Sequence, residues 1–187
     1  MTIPWAVSER DLLAAFAADL LAEREAGYPD LVAAGKMSAA DATDGIRIMA
    51  AIAADWRRIE ALYDFQPAAP RDATATDFEK RETLASAVDR LRAMFERRRA
   101  ALPSILPAPM GARRDTVNCA GLPFEDLIVA ANAGKIAADA LRPAARAQER
   151  LHLGEALLWH AEQRPGIMFY AEVTAELRRR DAHAQAA

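Results

Sequence analysis

Gly45, Met49, Ile52, Trp56, Ile59 and Tyr63 recur in alternating steps of four and three, a spacing that sets all six on one stripe of an α-helix. A chain built this way must bury one face of a long helix. Ser38 stands directly before the Ala-rich start of this run, with Asp41 three residues on, so a capping box predicts a helix over 38–64. Arg47, Asp55 and Arg58 fall on the opposite face, which is expected to meet water. Upstream, Tyr28-Pro29 predicts a break, because proline disfavours helical geometry at the residue before it and suits the first turn of a new helix. Gly35 then reads as a left-handed cap closing a short helix over 29–34.

The same period organises the rest of the chain. Ser8 with Asp11 marks a second capping box, and Leu13, Phe16 and Leu20 give the stripe of a helix over 8–27. Pro67 and Pro70 forbid helix continuation after Tyr63. A helix over 77–102, started by Thr76 or Asp77, carries Leu84, Val88, Leu91, Phe95 and Leu102. Pro123 opens a helix over 123–134, and Pro143 one over 143–163 with apolar residues on two sides. A last helix over 167–180 leaves 181–187 to fray. Between the third and fourth long helices, the Pro-rich loop 103–121, with Met110-Gly111 and Arg113-Arg114, exceeds the ~12 to 15 residues usual for a structureless connection, so it is a candidate partner-binding segment. Asp126-Leu127-Ile128 and Gly134-Lys135 echo Asp30-Leu31-Val32 and Gly35-Lys36, an echo within reach of chance in an Ala-rich chain. With Ala favouring helices, 8 glycines and few β-branched residues, the expected fold is all-α: a single domain over 1–187, an antiparallel bundle of about six helices with a Pro-rich connecting loop.

Tyr28-Pro29, Leu31-Val32, Gly35-Lys36-Met37-Ser38, Ala42, Ala51-Ile52 and Asp55-Trp56 resemble a pattern found in uncharacterised helical proteins of bacteriophages and prophages. The resemblance covers about a fifth of the chain, within Gly27–Tyr63, and carries no activity. It implies a phage-related origin.

Several function classes are argued down by composition. No apolar run reaches the roughly 20 residues of a membrane span, and Leu12 to Leu21 lacks the basic leader of a signal peptide and contains Asp19. The lone Cys119 excludes an internal disulfide and fits a reducing cytoplasm. A net charge of -3 from 24 basic and 27 acidic residues gives no strong field toward nucleic acid or membrane.

Catalytic patterns are incomplete. Glu149 and His152 have the Glu-x-x-His spacing of di-iron bundles, but no second copy of the motif exists, so His152 reads as a polar surface residue or a partner of Glu149 or Glu155. Glu79 and Glu82 could begin the magnesium site of a helical nucleotide hydrolase, yet no matching Glu-x-x-Asp follows downstream, Asp41 of the usable Asp41–Asp44 pair is better employed at a helix start, and a salt-bridged surface is the simpler reading. There is no nucleophile elbow or phosphate loop, and Cys119 has no histidine near it in sequence. No catalytic, cofactor or metal residue is assigned. Trp56, Phe95, Trp159 and Phe169 fall on apolar stripes and read as core. The expectation is a protein that acts by binding, as a homodimer through the Met49, Ile52, Trp56 stripe. Nucleic-acid binding through Arg57, Arg58, Arg97, Arg98, Arg113 and Arg114 is the alternative, and a metal-dependent nucleotide hydrolase the third reading.

Overall fold

The computed structural model describes residues 4–64, 75–112, 115–163 and 166–186. Among them are a 3-10 turn (Trp5–Ser8), six α-helices, namely α1 (Arg10–Ala33), α2 (Ala39–Tyr63), α3 (Asp77–Ala100), α4 (Phe124–Asn132), α5 (Ala138–Glu162) and α6 (Ile167–Ala186), and two three-residue strands, β1 (Ile105–Pro107) and β2 (Thr116–Asn118). The expected all-α helical bundle is what the chain forms. It divides into two compact units, residues 1–88 with 152–187, and residues 89–151, the division falling within α3 and α5.

In the first unit the α1–α2 corner follows the sequence closely. Gly35 takes φ 67°, its N–H donates to the Val32 carbonyl, and Lys36 N–H donates to the Leu31 carbonyl, a Schellman closure that satisfies two carbonyls at the end of α1. The Ser38 hydroxyl accepts the Asp41 N–H at 3.0 Å and caps α2. Arg10 lies 3.9 Å over the Tyr63 ring, and Arg24 donates to the Gly45 carbonyl at 3.1 Å. Positions rising along α1 therefore meet positions falling along α2, and the pair is antiparallel. Arg58 to Glu172 and Arg178 to the Tyr63 carbonyl rise together, so α6 runs alongside α2 in the same direction.

Leu13, Phe16, Leu20, Met49, Ile52 and Trp56 are all buried in this unit. The α2 stripe is thus consumed inside its own unit, and it cannot be the two-fold contact expected of it.

In the second unit, the segment expected as an irregular loop contains an antiparallel hairpin with Leu106 opposite Val117. Leu106 is buried. Apolar and β-branched residues supply the strands, Gly111 at φ 86° turns the chain between them, and Ala137 N–H donates to the Pro107 carbonyl at 2.8 Å, tying the hairpin to the start of α5. Phe95 and Phe124 meet edge to face at 5.4 Å in the core, with Ile136 and Leu141 also buried.

Four helix boundaries differ from expectation. α1 continues through Pro29 and α5 begins five residues before Pro143. A proline removes one N–H bond to the residue four back. Here those carbonyls belong to Glu25 and Asp139, both exposed along with the prolines, where a missing bond costs little. Ser8 does not cap α1, because the 3-10 turn occupies residues 5–8 and the N-cap is Glu9 without a side-chain bond. α6 reaches Ala186, since Asp181 to Ala186 contains neither glycine nor proline to stop it.

Candidate functional site

The face of α2 expected to be wet is instead tied to other helices of its unit by charge. Arg47 donates to Glu79 on α3 at 2.6 Å and to Asp44 at 3.2 Å. Asp55 accepts from Lys80 on α3 at 2.5 Å, with only 17% and 9% of the two side chains exposed. Arg58 lies 3.4 Å from Glu172 on α6. Charge in the sequence marks these residues as solvent-facing only if no oppositely charged helix arrives, and here two do.

Glu79 is fully engaged. Its carboxylate accepts the Thr76 N–H at 2.6 Å while the Thr76 hydroxyl accepts the Glu79 N–H at 3.2 Å, a reciprocal capping box at the start of α3. The Arg47 guanidinium, then the Thr76 donors, hold this carboxyl well below the usual range, to about 2. Among the described residues no group of three or more His, Cys, Asp or Glu is placed to hold a metal ion. The Glu79 carboxylate is committed to Arg47 and Thr76, the salt-bridged reading of this stretch.

Both histidines of α5 turn toward the 3-10 turn. Trp5 Nε1–H donates to His152 Nδ1 at 2.8 Å, so the partner of His152 is Trp5 and not Glu149 or Glu155. His160 Nε2 lies 2.8 Å from the Val7 carbonyl, an arrangement in which Nε2–H is the donor. Burial pushes the His160 pKa down, against the smaller opposing effect of that bond, so the ring is neutral at pH 7.

Beside His160 opens a cleft of ≈ 350 Å³ between residues of α2, α3, α5 and α6. Its apolar wall includes Ile52, Trp56, Leu84, Met168 and Phe169, and its polar rim includes the Asp55–Lys80 pair with Asp77 and Arg81. The Trp56 and His160 rings meet edge to face at 5.2 Å. The volume is near the lower end of the ~300–1,000 Å³ typical of ligand pockets. None of this is legible locally, because the lining is gathered from three separated stretches.

The second feature is the outer face of α6. Phe169, Tyr170, Val173 and Leu177 are 52%, 53%, 40% and 55% exposed, while Met168 and Ala171 are buried. Phe169, expected in the core, is therefore a surface residue. Tyr170, Val173 and Leu177 follow helical steps of three and four and form one apolar stripe. On the same helix Glu176 pairs with Arg180 and Arg179, each at 2.9 Å, which lowers the Glu176 pKa, Arg180 contributing most.

The arginines singled out as a nucleic-acid stripe are divided. Arg57 is exposed on α2, whereas its neighbour Arg58 is only 20% exposed and engaged with Glu172. Arg97 and Arg98 are exposed in the last turn of α3, in the other compact unit, where positive charge meets the negative helix end. Arg113 and Arg114 lie outside the described residues. Cys119 is buried, its sulfur 3.6 Å from the Val117 carbonyl. No described helix is long and apolar enough to cross a membrane.

No family model matches this sequence, and neither the curated proteins nor the solved structures compared with it give a match.

Proposed function

We propose that the chain is a non-enzymatic helical interaction module that pairs with a second copy of itself through the outer face of α6. The observation that carries this is the stripe of Tyr170, Val173 and Leu177, joined by Phe169, each left at least 40% exposed on a helix whose other side is packed. Burying a large apolar side chain stabilises by about 1.5–3 kcal/mol relative to leaving it in water, so four together favour a partner. Self-pairing is favoured by geometry: two antiparallel copies of α6 oppose their helix dipoles, while Glu172 and Arg178 stay engaged with α2 and Glu176 with Arg179 and Arg180. The cytoplasm suits this role, since the free thiol of Cys119 is buried and unbridged. The phage-type origin belongs to the same reading and rests on the pattern within Gly27–Tyr63 alone.

Analytical ultracentrifugation tests the pairing. A concentration-dependent dimer is expected, converted to monomer by Val173→Glu with Leu177→Glu at unchanged far-UV circular dichroism. A wild-type chain that stays monomeric at high concentration rejects it.

A further inference from the structure

The cleft beside His160 shares Phe169 with the outer face of α6 but takes its charged groups from α2 and α3, and its chemistry is specific. Among the described residues its least exposed charges, Lys80 and Asp55, face each other at 2.5 Å. His160, held neutral by burial with Nε2–H directed at the Val7 carbonyl, adds no charge. What is left on the rim is Asp77 and Arg81, one turn apart on α3. Among the described residues neither makes an ion pair or side-chain hydrogen bond with any other. Side chains four apart on a helix stand about 5–6 Å apart at their Cβ atoms, and here they offer opposite charges in that span to anything entering the cleft. Among the described residues the lining holds two acidic and two basic side chains, which balance. Its wall of Trp56, Met168, Leu84 and Ile52 accepts an apolar or aromatic body.

We infer that this cleft binds a free α-amino acid with a large apolar or aromatic side chain. The carboxylate meets Arg81, the ammonium meets Asp77, and the side chain lies against Trp56 and Met168. An anion alone would leave Asp77 unmatched and facing like charge, and a cation alone would do the same to Arg81. The zwitterion satisfies both and matches the balanced lining. This inference does not depend on α6 pairing, since its polar contacts come from α3.

Titration of the full chain with L-phenylalanine, followed by calorimetry and by tryptophan fluorescence, tests it. Saturable binding is expected. N-acetyl-L-phenylalanine, which lacks the ammonium, and L-phenylalaninamide, which lacks the carboxylate, should each bind about tenfold more weakly, the effect of one exposed charge-assisted contact. Arg81→Gln should weaken phenylalanine about tenfold and leave phenylalaninamide unchanged, while Asp77→Asn should spare the N-acetyl compound. Asp77 is exposed and Arg81 half-buried, and circular dichroism checks that both variants fold. No saturation up to about 10 mM overturns the inference, as does equal affinity for the three ligands.

Discussion

A Cβ added at Gly45 would stand 2.8 Å from Cε2 of Tyr28, with the Tyr28 hydroxyl oxygen at 3.4 Å. That contact makes Gly45→Ala a measurement of how tightly α1 is held to α2. On helix propensity alone the substitution should stabilise by about 1 kcal/mol, because glycine pays more backbone entropy than alanine in a helix interior. Against it, the Tyr28 ring must retreat by about 0.7 Å to reach the ~3.5 Å of ordinary carbon contact. The helix cannot slide away to relieve this, since Arg24 donates to the Gly45 carbonyl itself and Arg10 sits on Tyr63 at the far end of the pair. Overpacking of this kind costs about 1–3 kcal/mol. Steric cost therefore exceeds propensity, and Gly45→Ala is expected to destabilise by about 1 kcal/mol net. In a Tyr28→Ala background the obstacle is gone, and the same substitution should stabilise by about 1 kcal/mol. The four variants form a cycle with a coupling of about 2 kcal/mol, read from urea unfolding followed by circular dichroism. Equal stabilisation by Gly45→Ala in both backgrounds would refute the reasoning, for it would mean that the ring swings aside at no cost.

Two further predictions concern the charged face of α2. Lys80→Met takes the ammonium away from the Asp55 carboxylate in a largely dry place and should cost about 3 kcal/mol, the low end for one lost partner of a buried pair because part of Asp55 stays exposed; Asp55→Leu added to it should restore part of that, and a double variant no more stable than the single one contradicts the account. Glu79, with its folded pKa held to about 2 by Arg47 and Thr76, binds protons less readily folded than unfolded. Its contribution is complete above the ordinary carboxylate pKa and is lost as pH falls toward about 2. The urea midpoint of wild type should accordingly exceed that of Glu79→Gln at pH 7 and converge on it in acid, whereas a constant gap would show that the carboxylate charge is irrelevant.

What could be read from the sequence was local. Ser38, Gly35 and Thr76 each act within a few residues, and the structure shows the expected caps. Even the echo dismissed as chance has a common physical form: Gly134 takes φ 67° and Lys135 donates to the Ala130 carbonyl, the same closure as Gly35 and Lys36. Pro29 and Pro143 misled because one absent hydrogen bond matters little where the orphaned carbonyl faces water. The pairing of Arg47, Asp55 and Arg58 was hidden because their partners lie 32, 25 and 114 residues away. Periodicity finds a stripe but not its neighbour, so Met49 and Phe169 look alike in sequence, although one is buried and the other exposed. The cleft, assembled from α2, α3 and the α5–α6 corner, leaves no contiguous signal.

The joining of α2 to α6 also has a bearing on how the chain emerges from the ribosome. Arg58 is made 114 residues before Glu172, and at ~5–20 residues per second that separation lasts about 6–20 s. The α1–α2 hairpin can close within microseconds of release, yet the side of it that α6 covers must wait. For those seconds the nascent chain displays a half-finished surface on the side of the hairpin that its last helix will cover.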